Sequence, residues 1–134
     1  MAEIEIIDHS SEVLRELERR CEAALEACGN EAVSHAKENI TDAGRVDTGN
    51  LRNSMSHLVK GDTCYIGTNN EYAIYNEMGT GIYVGGGRTS PWAYQDANGE
   101  WHRTRGMKGI HFLKNAVAGH ISEYKQIIEK FLKQ

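Results

Sequence analysis

Apolar residues recur at steps of three and four from Leu14 through Leu17, Cys21, Leu25, Cys28, Ala32 and Ala36 to Ile40, and this spacing predicts a helix over about residues 10–41. Such a helix is a rod of about 45 Å. Asp8, Ser10 and Ser11 are N-cap candidates ahead of the acidic Glu12. Gly29–Asn30 is the weak point, since glycine within a helix costs about 1 kcal/mol against alanine. The stripe is rich in Ala and Cys, which permits close approach to a flat surface. A rod this long outruns the compact size of a small domain, so part of its stripe is expected to lie under another subunit. Ahead of it, Ile4, Ile6 and Ile7 suggest a short opening strand.

Beyond Ile40 the pattern shortens. Asp42–Arg45 reads as a turn, and residues 51–68 as an antiparallel hairpin, with Leu51, Met55 and Val59 on one side and Lys60-Gly61-Asp62 at the reversal. Residues 70–78 have helical spacing, with Tyr72, Tyr75 and Met78 three apart and expected to dock on the sheet. Gly79-Thr80-Gly81 stops this helix abruptly. A polar, Gly-rich insertion over about 79–109 contains a small hairpin, Trp92–Gln95 and Glu100–Arg103 around Asp96-Ala97-Asn98-Gly99. A last helix over about 111–133 carries Leu113, Val117, Ile121, Tyr124, Ile128 and Phe131 as its stripe and is expected across the same sheet. The outcome is an α+β fold: a small antiparallel sheet packed by a long N-terminal and a C-terminal helix, in one domain of 134 residues.

Composition, 40% hydrophobic and 25% charged, is that of a soluble globular chain. No apolar run is long enough to span a membrane, and the acidic start MAEIEIIDHS is unlike a signal peptide, so a cytoplasmic site of synthesis and assembly is expected. Cys21, Cys28 and Cys64 form no CxxC pair and are expected as reduced thiols at apolar positions. The net charge of −4 is polarised. Up to Glu31 nine acids face three arginines, a balance of −6, whereas from Arg88 eight bases face four acids, a balance of +4. An acidic front and a basic back suit head-to-tail contact between copies, or simply two solvated faces.

Catalytic chemistry finds little support. The six histidines show no HExxH or HxH spacing, so neither a metal nor a cofactor is expected; Asp96, His102 and His111 could approach one another, as residues of many loops do. Gly85–Ser90 lacks the lysine of a phosphate loop, and Ser54, Ser56 and Ser90 lack a GxSxG context. Trp92, Tyr94 and Trp101, with Arg103, Arg105 and Lys108, stand instead as candidate interface residues, because aromatics on so polar a loop either contact a partner or pack on the hairpin itself.

Val46-Asp47-Thr48-Gly49 with Leu51-Arg52 and Ser54, then Tyr72-Ala73-x-Tyr75-x-Glu77-x-Gly79-Thr80-Gly81, then Phe112-Leu113 at the start of an Ala-containing helix, together resemble the small neck, head-tail joining and tail-completion proteins of long-tailed bacteriophages. The resemblance covers roughly residues 42–118, with one departure: such proteins commonly place Pro before the Phe-Leu pair, where His111 stands. It implies a non-enzymatic virion subunit that forms a ring, in the hexameric range, between capsid and tail. Its partners would be itself, other neck and tail proteins, and DNA passing non-specifically through the channel, with no membrane involved. A tail terminator of the same fold is the neighbouring alternative. A different class is a monomeric nucleic-acid- or host-protein-binding module that uses Trp101 for stacking beside Arg103–Lys108. On the sequence, Glu77 near a helix C-terminus calls for a cation, with Arg52 a candidate.

Overall fold

A computed structural model describes residues 3–45, 49–96 and 98–133. Asp47 and Thr48 of the expected motif lie outside the described residues. The architecture is α+β, in the order α1 (Ser10–Asp42), α2 (Asn50–Asn53), β1 (Ser56–Lys60), β2 (Thr63–Gly67), α3 (Ala73–Met78), β3 (Trp92–Gln95), β4 (Trp101–Thr104), α4 (Phe112–Ala118) and α5 (Ile121–Leu132). The strands make two separate antiparallel pairs, β1–β2 and β3–β4, in registers such as Leu58 opposite Tyr65 and Tyr94 opposite His102.

The long helix α1 is the backbone of the fold. The β1–β2 hairpin and both α4 and α5 pack against it. Gly29–Asn30 does not split it, and Gly29 is buried because the hairpin crosses the helix there. A Cβ at Gly29 would stand 2.5 Å from Cδ2 of His57 and 2.8 Å from Sγ of Cys64, so only glycine allows this approach. The opposite end is bare. Ile4, Ile6 and Ile7 form no strand and are exposed, as are Val13, Leu14 and Leu17 on the first turns of α1. Among the described residues no strand pairs with Ile4–Ile7. Of the thiols Cys28 is buried, Cys64 is partly covered, and Cys21, expected at an apolar site, is exposed on the same uncovered stretch.

The core gathers Ala36 and Ile40 of α1, Leu51, Met55, Ala73, Phe112 and Ala116, with Phe112 and Ile40 the largest fully enclosed side chains. Two boundaries and one packing relation differ from the sequence expectation. Residues 50–53 are a helical turn, and the hairpin starts only at Ser56. Gly49 enters this turn at φ 83°, and the Ser54 hydroxyl donates back to the carbonyl of Leu51 at 2.7 Å, so Leu51 and Met55 reach the core one helical turn apart. The single C-terminal helix is two, broken at Gly119–His120. The carbonyl of Ala116, which a continuous helix would offer to the N–H of His120, accepts the hydroxyl of Tyr124 instead. These helices also pack mainly on α1 and not across a sheet. A pair of five-residue strands is too narrow to carry both.

A candidate assembly surface

The turn from α3 into the insertion is built from glycines. The N–H of Thr80 donates to the carbonyl of Met107 at 2.8 Å, the N–H of Met107 to Oγ1 of Thr80 at 2.8 Å, and the N–H of Ile82 to the carbonyl of Arg105 at 3.0 Å. The two ends of the insertion therefore close on each other at one point. Gly79 and Gly81 have φ of 90° and 60°, and a Cβ on Gly81 would lie 1.9 Å from the carbonyl oxygen of Arg105. Any side chain there would open the base of the loop. Arg45, at the end of α1, donates to Oδ1 of Asn76 at 3.1 Å and to the carbonyl of Lys108 at 2.6 Å, which fixes this base to the helix.

Glu77 has a role the sequence reading assigned to a different partner. Its carboxylate accepts the backbone N–H groups of Leu113 and Lys114 at 2.8 and 3.1 Å, so it caps the start of α4. No ion pair to Arg52 occurs among the described residues, and Arg52 is half-buried on α2. The positive end of α4 is the cation that the end of α3 called for. His111, immediately before Phe112, takes the left-handed conformation, φ 49° and ψ 46°, and donates its N–H to the carbonyl of Glu77 at 3.1 Å. Proline is locked near φ −65° and has no N–H, so the proline usual in the resembling proteins does not fit this backbone.

Tyr72 and Tyr75, expected to dock on a sheet, face outward together with Met78. Only Ala73 of α3 enters the core. Ala73 is the residue of α3 turned inward, and the rings are left on the outer side. Tyr72 is 68% exposed. Ile74 of α3, and Ile82 and Tyr83 on the turn that follows, are exposed as well, so six large apolar side chains of residues 72–83 reach the surface. In the insertion the β3–β4 hairpin forms with β3 over the expected Trp92–Gln95 and β4 one residue later than expected, at Trp101–Thr104, with Gly99 at φ 83° in its turn. Trp92 is half-buried beneath the Arg88 guanidinium, 5.5 Å from the ring centre, and Tyr94 stacks on His102 at 5.3 Å. Trp101 is 70% exposed, and Arg103, Arg105 and Lys108 are exposed. His102 meets Asp96 at 2.7 Å, and their hydrogen bond holds the Asp96 carboxyl below its usual range; His111 sits elsewhere, at the start of α4.

An apolar groove of about 490 Å³ runs between α1, β2 and the C-terminal helices, bounded by Leu25, Cys28, Cys64, Val117, Tyr124 and Ile128. Burial pushes both thiols up, which makes them poor nucleophiles at neutral pH. None of the described helices is long and apolar enough to cross a membrane.

Fold and surface together define a small α+β subunit with apolar side chains exposed on several elements, among them the first turns of α1, the β1–β2 hairpin at Leu58 and Tyr65, residues 72–83 and Trp101. Residues 4–79 match the HK97-gp10-like family, described as "Bacteriophage HK97-gp10, putative tail-component", and the protein belongs to that family. The match spans α1 to the end of α3 and stops at Gly79, where the insertion begins. The protein is thus a phage structural component of the tail class. No curated protein and no solved structure matches the chain.

Proposed function

We propose that the protein is a one-domain subunit of a homo-oligomeric ring at the junction of capsid and tail, in the neck or as the tail's completing ring, through which DNA passes. The observation that carries this reading is that exposed apolar side chains gather on two segments at different places in the fold, besides others such as Leu58, Tyr65 and Trp101. Val13, Leu14 and Leu17 lie on one, and Tyr72, Tyr75 and Met78 on the other, within a chain that belongs to a phage tail-component family. Two different surfaces that each need a partner suit a head-to-tail contact, in which one copy's first surface meets the next copy's second and rotation closes the ring. The acidic charge of α1 and the basic charge beyond Arg88 favour the same polarity.

Light scattering over a range of concentrations, followed by electron microscopy of the protein alone and mixed with its neighbouring neck and tail proteins, tests the proposal. Closed rings are the expected result. A protein that stays monomeric with those partners present, yet binds single-stranded DNA with salt-sensitive affinity through Trp101 and Arg103, would identify a solitary nucleic-acid-binding module instead.

A further inference from the structure

Two histidines far apart in sequence meet where α1 passes the joint between α4 and α5. The rings of His35 and His120 stack with centroids 3.5 Å apart and planes within 5°. One carboxylate serves both. Oε2 of Glu123 lies 3.0 Å from Nε2 of His35 and 3.4 Å from Nδ1 of His120. Glu31 adds a second carboxylate nearby, 4.0 Å from the same Nε2. Among the described residues neither of these acids pairs with a lysine or arginine. Two imidazoles and two carboxylates thus face one another with no fixed cation between them.

The other nitrogen of His35 carries the argument further. Nδ1 is buried and makes no hydrogen bond, with Oε2 of Glu38 the nearest carboxylate at 3.7 Å. If Nε2 carries the proton and donates to Glu123, Nδ1 is an acceptor facing another acceptor. If Nε2 binds a cation, the proton moves to Nδ1 and Glu38 becomes its acceptor, the usual arrangement behind a metal-bound histidine. The spacing suits the same reading. Bonds of about 2.0–2.1 Å in a tetrahedron put neighbouring ligand atoms about 3.3 Å apart. The two imidazole–carboxylate separations, 3.0 and 3.4 Å, bracket that value.

We propose that His35, His120 and Glu123 bind a divalent transition-metal ion of the zinc class, a three-ligand set that leaves the fourth position open, with Glu38 orienting His35. Imidazole with carboxylate suits zinc, nickel or cobalt and not the all-oxygen preference of magnesium. The parallel rings have to splay until both planes converge on the ion. His120 can do so because it sits on the non-helical joint at φ −132°. The ion would fasten α1 to the break between the last two helices.

The experiment uses the full chain, stripped with EDTA and titrated with Co²⁺ as a visible probe. We expect one equivalent to bind, with d–d absorption bands, to be displaced by Zn²⁺ and to be untouched by Mg²⁺. His35→Ala and His120→Ala should each weaken binding by at least about tenfold, and Glu38→Gln by about tenfold, the range seen for groups that orient a ligand. Circular dichroism checks that each variant is folded, and the half-exposed His120 supplies the decisive variant should His35→Ala unfold. His102→Ala, which removes the separate Asp96–Glu100–His102 group on the β3–β4 hairpin, should leave binding unchanged. No uptake of Co²⁺ by the parent chain, equal uptake by His120→Ala, or loss only in His102→Ala would each overturn the site.

Discussion

The carboxylate of Glu77 at the end of α3 accepts the backbone N–H of Leu113 at 2.8 Å, across 36 residues and the whole of the insertion. Two motifs that look independent in the sequence are one device, in which the end of a short helix supplies the cap for the helix that carries Phe112 into the core. We predict that Glu77→Ala lowers stability by about 1 kcal/mol, the usual loss when a side-chain cap is removed. Glu77→Gln, which keeps an acceptor but not the charge, should lose less. A urea midpoint that falls with unchanged slope is the readout, and equal stability of Glu77→Ala and the parent would show that the cap has no weight.

Gly29 sets two rules against each other. Within a helix, alanine is favoured over glycine by about 1 kcal/mol, so propensity alone makes Gly29→Ala stabilising. The added methyl would sit 2.5 Å from the His57 ring, against a hairpin that has to move as a unit. Overpacking of this kind costs about 1–3 kcal/mol, so we predict a net loss. Gly29→Ala combined with His57→Ala should recover part of it, because the ring that blocks the methyl is gone. A double variant less stable than the sum of the single changes would rule out the steric cause.

These cases show which parts of the structure were legible in the sequence. The α1 stripe, the β3–β4 hairpin and the glycines at 79 and 81 follow from local periodicity and backbone freedom, and they stand where that logic puts them. Leu51 and Met55 did not, because a spacing of four lies on one face of a strand and of a helix alike, and the choice was made by Gly49 and the Ser54 back-bond. Tyr72 and Tyr75 have helical spacing, but spacing leaves open which side faces the core, and Ala73 took it. Gly29 is a flaw in α1 by local propensity alone, and only the hairpin that crosses it, distant in sequence, accounts for it. His35 and His120 were beyond reach, since motif spacing detects ligands on one element and these are joined only by the packing of α5 on α1.

At His111 the backbone chooses a conformation that few side chains take. We predict that His111→Pro, the change toward the residue usual in resembling proteins, destabilises this chain by about 3 kcal/mol or more, since it forbids φ 49° and deletes the N–H that reaches Glu77. Thermal unfolding measures it. A variant as stable as the parent would mean that residues 109–112 can enter α4 by another path.

Tyr124 gives the fold an alkaline limit. Burial, helped by the nearby Glu123 charge, pushes its hydroxyl up to about 12, while the hydroxyl donates to the carbonyl of Ala116. The unfolded chain releases this proton near pH 10 and the folded chain two units higher, so the folded state binds more protons in between. Its contribution is therefore complete below pH about 10 and is lost as pH rises toward about 12. We predict that Tyr124→Phe is less stable than the parent at pH 8 and that the gap narrows over this window. Absorbance at 295 nm should show one tyrosine titrating later than the others, and loss of that late step in Tyr124→Phe assigns it. A constant gap would mean that the hydroxyl titrates normally.

The outward rings of α3 separate folding from assembly. Tyr72 and Tyr75 are exposed, make no part of the core, and lie in the segment that also exposes Met78, Ile82 and Tyr83. Replacing both with serine should change stability by less than about 0.5 kcal/mol, as for exposed positions generally. An interface contact behaves differently, because aromatic anchors in a desolvated patch are each worth about 2 kcal/mol or more. We therefore predict that Tyr72→Ser with Tyr75→Ser leaves the urea midpoint in place and abolishes ring formation with the partner proteins. The mirror experiment replaces Leu14 and Leu17 on the bare end of α1 with serine. Mixed with the tyrosine variant, this second variant should form at most a pair through the one intact contact, since a head-to-tail ring needs both surfaces on every copy. Rings assembled from either variant alone would show that the two segments do not meet in the assembly.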